Sequence, residues 1–180
     1  FRPSDVKVAP DGSLIVADWY DPGVGGHNMR DLDRGRLFRV TPKGHKGYKL
    51  PKNDFKSTEG LIAALQNPNN SVRHIAWTEL NKRQATAKAA LQKMASEENP
   101  RMRARAIWLL AKIKGNAQSA VTQAAKDKDD NIRGMALRIA RQHELDVIPI
   151  INKLSGDGSA LVRRECLIAL RHNESKEAPH

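Results

Sequence analysis

The sequence predicts a mainly α-helical fold, an α–α superhelix (a solenoid) of four helical hairpins preceded by a short N-terminal β segment. One observation behind this is a 30-residue repeat in the C-terminal part of the chain. The other is a change near Ser57, where short extended apolar runs give way to helical periodicity. We therefore divide the 180-residue chain into residues 1–56, a β segment with a linker, residues 57–172, the repeat domain, and residues 173–180, a tail.

The β segment carries three short runs typical of strands. Val6 and Val8 alternate with polar residues, residues 14–17 are wholly apolar, and a third run fills residues 36–41. The Asp11-Gly12 pair predicts a tight hairpin, because glycine tolerates the positive φ of such a turn. Three strands cannot bury a core alone, so we expect this sheet to pack on the helices or on β-structure outside this chain.

Each repeat is marked by an arginine and by a helix-capping residue four positions before it. The arginines, 30 residues apart, are Arg73, Arg103, Arg133 and Arg163. The capping residues are Asn69, Asn99, Asp129 and Ser159. Their side-chain oxygens are predicted to accept hydrogen bonds from the first helical turn. The predicted helix pairs are residues 57–67 with 69–82, 86–96 with 99–113, 117–126 with 129–143, and 147–154 with 159–171.

Apolar residues follow the same register. Ala76, Ala106, Ala136 and Cys166 share a small-residue position, and Trp77, Ile107, Leu137 and Leu167 share a large apolar one. One hairpin exposes such a face, whereas stacked hairpins bury a continuous core. The repeated arginines could form an anion-binding stripe or could bind neighbouring repeats. We favour the second role, because a guanidinium suits carbonyls and carboxylates and each solenoid unit must bond to its neighbours.

Charge leaves nucleic-acid binding open as an alternative. The net charge is +11 but is spread along the chain, which is typical of a solvated surface. Arg101, Arg105 and Arg164 lie outside the repeat register and are candidates for an exposed basic face. The single Cys166 excludes an internal disulfide and a thiolate metal cluster. No apolar run approaches the roughly 20 residues that span a bilayer.

Polar residues after the second predicted strand form a candidate loop site. They are Asp18, Asp21, His27, Arg30 and Asp31. Carboxylates and histidine can bind a metal or act as acid and base. We expect an exposed loop, because the sequence offers no further wall of a pocket. We therefore assign no catalytic residue, metal ligand or cofactor to this chain and expect no enzymatic activity from it.

Two resemblances refine these expectations. The repeats resemble HEAT repeats, which form ARM-like superhelices, and especially the bacterial type whose second helix begins Asn/Asp-x-x-Val-Arg. The motifs FRPSDV (1–6), PDG (10–12), ADWYD (17–21) and GRLFRV (35–40) resemble the last blade of a β-propeller. That blade is similar to those of sorbosone- or glucose-dehydrogenase-like propellers in large bacterial proteins classed as membrane-bound dehydrogenases, common in planctomycetes, in which HEAT-like repeats follow the propeller.

The resemblance implies that residues 1–56 are the edge of a truncated propeller and that the parent is a quinone-dependent sugar or alcohol oxidoreductase. Its active site would lie outside this chain, and its location would be periplasmic or in the cell envelope. The sequence starts at Phe1, so we expect a piece of a longer protein, and it lacks a Cys-x-x-Cys-His motif, so we expect no c-type haem. The predicted role is a HEAT scaffold for a protein partner or for neighbouring domains of the parent.

Overall fold

The computed structural model describes residues 2–19, 34–45, 49, 51–171 and 173–176. The chain forms two compact units, Phe1–Ala76 and Trp77–His180. The predicted fold class is confirmed, because a short three-stranded sheet precedes a series of packed helical hairpins.

The sheet of the first unit is antiparallel. Its strands are β1 (Pro3–Val8), β2 (Leu14–Asp18) and β3 (Arg36–Val40), in that order. The predicted hairpin joins β1 to β2, where Gly12 has a φ of +88°. The backbone N–H of Ala9 donates to the Ser13 carbonyl at 2.7 Å and closes this turn.

One face of this sheet is wholly apolar over two rows of paired residues. The rows are Val6, Val16 and Phe38, then Val8, Leu14 and Val40. Val6 is 55% exposed and Val40 is 50% exposed. In the part of the chain that the structure describes, this face is therefore not fully covered.

The first helical hairpin also belongs mainly to the first unit. Helix α1 (Thr58–Leu65) starts at Ser57, whose hydroxyl oxygen accepts from the Gly60 N–H at 2.9 Å. Helix α2 (Asn70–Arg83) starts at Asn69, whose Oδ1 accepts from the Val72 N–H at 3.0 Å. The Asn69 amide nitrogen also donates to the Val8 carbonyl. The capping residue thus connects the turn between α1 and α2 to the end of β1.

Three further hairpins make up the second unit. They pair α3 (Lys88–Met94) with α4 (Pro100–Lys112), α5 (Ala117–Ala124) with α6 (Asp130–Gln142), and α7 (Ile148–Leu154) with α8 (Ala160–Leu170). A 3-10 turn, Gln84–Ala87, precedes α3 where the sequence predicts the start of an α-helix at Thr86. The second helices of the hairpins also pack on each other, α4 on α6 and α6 on α8.

The register predicted for the core holds at most positions, with Trp77 half-buried and Leu167 exposed at the large apolar position. Ala106, Ala136 and Cys166 are buried, as are Ile107 and Leu137 at the large apolar position. Leu167 occupies that same large position but is 70% exposed. The expectation of a buried Leu167 is wrong, because α8 is the last helix described and no later helix covers this face in the described residues.

Candidate interaction surface of the helical repeats

Each repeated arginine closes the turn that precedes its own helix. The Arg133 Nη1 donates to the carbonyls of Asp127 and Lys128, at 3.0 and 3.1 Å. Arg73, Arg103 and Arg163 make the same two bonds to the carbonyls six and five residues before them. This geometry follows from placing an arginine in the first turn of each second helix, where it faces the carbonyls of the connecting turn.

Two of these arginines also reach the turn of the next hairpin. The Arg103 Nε and Nη2 donate to Asp127 at 2.9 and 2.7 Å, and the same atoms of Arg133 donate to Asp157 at 2.7 and 2.8 Å. Both contacts are bidentate, the strong geometry for a guanidinium and a carboxylate. We call the set Arg103, Asp127, Arg133 and Asp157 the Arg–Asp ladder, since each aspartate accepts from one arginine through its carboxylate and from the next through its carbonyl.

The electrostatics of the ladder keep its members ionised. The side chains of Arg103 and Asp127 are only 6% and 9% exposed. Burial raises the pKa of Asp127, but hydrogen bonds from Arg103 and the Asp129 N–H outweigh it and leave the pKa lowered. The hydrogen bond from Arg133, followed by the Ser159 N–H, lowers the pKa of Asp157 to about 2. Such fixed ion pairs bind the repeats together and offer no proton for catalysis near neutral pH.

The predicted capping residues behave alike except at the last repeat. Asn99 accepts from the Arg101 N–H at 3.0 Å, and Asp129 accepts from the Asn131 N–H at 2.9 Å. Ser159 stands at the N-cap position but its side chain makes no capping bond. Its hydroxyl instead donates to Asp130 of α6 at 2.6 Å. The expected cap is therefore wrong for Ser159, because its hydroxyl is engaged by a carboxylate of the preceding repeat.

Sequence reasoning missed the acidic partners of the arginines. Asp127 and Asp157 stand six residues before a repeated arginine, and this position was a usable signal because Glu97 occupies it as well. Glu165 was also missed. It is 4% exposed and accepts from the Arg138 Nε and Nη2 at 3.0 and 2.6 Å. The hydrogen bond from Arg138 lowers the pKa of Glu165, so this pair adds a second ionic contact between the α5–α6 and α7–α8 hairpins, beside Arg133–Asp157.

The loop residues proposed from sequence fall largely outside the described residues. Asp21, His27, Arg30 and Asp31 are not described, and they stay predictions. Asp18 ends β2, and its carboxylate accepts from the Arg2 N–H at 2.5 Å. Among the residues whose placement is described, no group of three or more His, Cys, Asp or Glu could hold a metal ion.

Two other candidates for chemistry are a buried thiol and a small groove. Cys166 is buried, and burial raises the pKa of its thiol, which disfavours the reactive thiolate. A groove between α5 and α7, lined in part by Val121, Thr122 and Ile150, has a volume of about 70 Å³. Small-molecule sites usually measure roughly 300–1,000 Å³, so this groove does not suit a typical organic ligand.

The extra arginines differ in exposure. Arg101 of α4 and Arg164 of α8 are exposed, whereas Arg105 is half-buried and its Nη1 lies 3.7 Å from the Met102 sulfur. Arg164 also donates to Glu165 at 3.2 Å. The described helices include none that is long and apolar enough to cross a membrane.

Comparisons with known proteins agree with the helical part of this architecture. No curated protein matches the chain. The family model of HEAT repeats matches residues 58–139, from α1 into α6. The match does not extend to the β segment, so the propeller and dehydrogenase resemblances stay predictions. Residues 58–139 of this chain are a HEAT repeat region.

Proposed function

We propose that this chain is a non-catalytic HEAT scaffold that binds a protein partner. HEAT repeats commonly mediate protein interactions, and a stacked array offers an extended surface for them. The main support for the proposal is that the charged groups with shifted pKa values in the repeats all serve to join one repeat to the next. In residues 77–171, the charged groups with clearly shifted pKa values are Arg103, Asp127, Arg133, Arg138, Asp157 and Glu165, and all of them form pairs between repeats. Perturbed pKa values often mark catalytic sites, but structural ion-pair networks produce them too, and each of these groups has its ionic partner in the neighbouring hairpin.

Affinity capture tests this function. The chain is immobilised beside a control protein of matched net charge, and proteins bound from nuclease-treated cell extract are quantified by mass spectrometry. Nuclease treatment removes recovery through nucleic acid. We expect a defined set of polypeptides enriched on the chain and not on the control. Equal recovery on both would contradict the proposal.

We also propose that the chain belongs to a larger dehydrogenase with a propeller. The apolar face of the sheet supports this, because Val6, Leu14 and Phe38 remain exposed and such a face packs favourably on another sheet. Expression of the complete gene product tests it. We expect quinone-linked oxidation of a sugar or alcohol by the complete protein and none by this chain. A complete protein without a propeller or without that activity would contradict it.

Nucleic-acid binding through a basic HEAT surface is the second candidate. The net charge of +11 and the exposed Arg101 and Arg164 favour it. Fluorescence anisotropy with labelled duplex DNA separates the two functions. Binding through phosphate contacts weakens steeply between about 50 and 200 mM salt. Absence of binding at the lower salt concentration would eliminate this candidate, and steep, tight binding would favour it over the protein scaffold.

A further inference from the structure

Helix α4 carries a row of cationic residues around one aromatic side chain. The helix contains four cationic residues and no acidic one. Arg103 belongs to the Arg–Asp ladder, whereas the other three share one helical face with Trp108, at the spacing i, i+4, i+7, i+11. These three are Arg101, Arg105 and Lys112. At the rise of an α-helix, the row is about 17 Å long.

The row is open to solvent on a helix in the interior of the array. Arg101 is exposed, and the other three residues of the row are half-buried. Helix α4 packs on α3, α5 and α6, and the buried Ala106 and Leu110 lie on the side of α4 opposite the row. The hairpin that follows α4 is present and leaves the row uncovered. Its openness therefore does not arise from the lack of a stacked repeat.

Helix α6 continues this surface with polar residues. Thirty residues after members of the row, α6 has exposed polar side chains at Asn131, Arg138 and Gln142. The Arg138 side chain is 54% exposed, although α8 packs beside it and Glu165 accepts from its Nε and Nη2. Packed helices lie about 8–10 Å apart, so α4 and α6 form one surface. We define the α4–α6 face as Arg101, Arg105, Trp108, Lys112, Arg138 and Gln142.

We propose that the α4–α6 face binds an extended acidic segment of a protein partner, with an aliphatic side chain of that segment packed on Trp108. The proposal rests on the proposed scaffold function and specifies the surface and the chemistry of the partner. Charge complementarity supports it, because among the described residues the side chains of Arg101 and Lys112 pair with no carboxylate. Arginine and tryptophan are also the residues that contribute most to binding at protein interfaces.

The spacing of the row fits an extended chain. Alternate side chains of an extended peptide project from one side, roughly 7 Å apart. Successive members of the row are separated by about 4.5–6 Å along the helix axis, and the long arginine and lysine side chains can reach across the difference. A segment with carboxylates at its first, third and seventh positions and an aliphatic residue at its fifth therefore matches the order of charges and indole along α4.

A nucleic acid fits this face less well. Its backbone carries a charge on every nucleotide, whereas the cations of the face decrease in number from α4 to α8. At the corresponding positions α8 has Leu161, Glu165 and Ile168, none of which is cationic. The turns before α4 and α6 are acidic, with Glu98 exposed and Asp130 half-buried. A short acidic segment needs only the cations of α4 and α6, whereas a phosphate backbone would continue over neutral or acidic positions.

Fluorescence anisotropy with a designed peptide tests the proposal. The probe is a fluorescein-labelled heptapeptide with glutamate at the first, third and seventh positions, leucine at the fifth and serine elsewhere. Its matched control has glutamine in place of each glutamate. An exposed ion pair contributes about twofold to affinity, so three pairs should make the acidic probe bind about tenfold more tightly than the neutral one at low salt. This difference should shrink as the salt concentration rises.

Matched charge reversals locate the binding. Arg101→Glu and Lys112→Glu should each weaken binding of the acidic probe by about fivefold, since each removes an attraction and adds a repulsion. Lys153 is the control, because it too stands in the last turn of its helix, on α7 and outside the face. Lys153→Glu should change the affinity by less than about twofold. Circular dichroism and the urea midpoint should show that all three variants remain folded. Absence of probe binding, equal binding of the neutral probe, or an equal loss in Lys153→Glu would overturn the proposal.

Other occupants of the face give different results. Tighter binding of labelled single-stranded DNA than of the acidic probe, lost in Arg101→Glu and Lys112→Glu, would overturn the proposal in favour of a nucleic acid. A dimer in analytical ultracentrifugation that dissociates in Lys112→Glu would overturn it in favour of a second copy of the chain. Affinity capture with both substitutions combined separates this proposal from the scaffold function. We expect the captured proteins to be lost, whereas undiminished capture would overturn the role of this face and leave the scaffold function standing.

Discussion

The three-stranded sheet and the helical repeats contain similar short apolar runs but differ in how far they bury them. In the repeats, Ile107, Leu137 and Ile139 are at most 1% exposed. In the sheet, Val6 and Leu37 are 55% and 76% exposed. The difference arises because α4 and α6 are each followed, 30 residues later, by a helix that packs on them, whereas no second sheet covers the strands in the part of the chain that the structure describes. The local sequence pattern determines whether a segment forms a strand or a helix, but its apolar side chains are buried only where another element packs on them.

The two regions also differ in their ionic contacts. In the sheet, Arg39 of β3 pairs with Asp11 of the β1–β2 turn at 2.7 Å, and the Arg39 side chain is 33% exposed whereas that of Asp11 is 6% exposed. In the repeats, the Arg103–Asp127 pair is almost fully buried. Removing one member of a pair that is buried on both sides leaves an uncompensated buried charge, whereas a partly exposed arginine such as Arg39 can be solvated when its partner is removed. The ladder is therefore where we expect single substitutions to have the largest effects.

The largest effect is expected for Arg103→Met. It keeps the apolar stem but removes the guanidinium donors from the Asp127 carboxylate and from two turn carbonyls. We expect the free energy of unfolding to fall by about 3–5 kcal/mol, measured by urea unfolding with circular dichroism. Arg163→Met is the matched control, since it removes only bonds to carbonyls at an exposed position, and it should cost about 1 kcal/mol or less. Equal losses at the two positions would contradict the ladder's role.

The next largest effect is expected for Leu137→Ala, which tests burial by the following repeat. Loss of a fully buried leucine should cost about 3 kcal/mol. The identical change at Leu37 in the sheet or at Leu167 in α8 should cost less than about 0.5 kcal/mol, because both are largely exposed. A cost at Leu37 as large as at Leu137 would show that the sheet is buried in solution and would end the contrast between the regions.

A smaller effect is expected at the start of α4. Asn99→Ala removes the acceptor for the Arg101 N–H and should cost about 1 kcal/mol, whereas Asn99→Gly should cost only a few tenths. Urea unfolding of the two variants in parallel checks this. If both substitutions were neutral, the repeated capping residues would not contribute to helix stability as inferred.

The last effect appears only in acid. The pKa of Asp157 in the folded chain is about 2, below its ordinary value of 3.8, chiefly because of Arg133. Its contribution to stability is therefore present above pH 3.8 and is lost as the pH falls through about 2. Asp157→Asn should reduce the change in the free energy of unfolding between these two pH values, measured by urea unfolding at each pH. Arg133→Met should reduce it similarly. A profile unchanged by Asp157→Asn would contradict the assignment.

The sequence was sufficient to predict most strands, turns and helix starts, but not which side chains contact each other across repeats. Asp11-Gly12 and the caps at Asn69 and Asn99 predicted the hairpin and two helix starts, because turns and caps depend on a few neighbouring residues. The ladder could not be predicted, since it joins an arginine to an acid 24 residues later, and the register alone does not show that the side chains meet. Leu167 shows the same limit, because periodicity gives a position in a repeat and not the presence of a covering helix.

A double-mutant cycle of Arg103 and Asp127 tests most directly the claim that ionic contacts between hairpins hold the array together. Unfolding free energies would be measured for Arg103→Met, Asp127→Asn and the double variant. We predict a coupling energy of about 2 kcal/mol, because the partners are buried and in bidentate contact. Additive losses, with a coupling energy below about 0.5 kcal/mol, would contradict the claim.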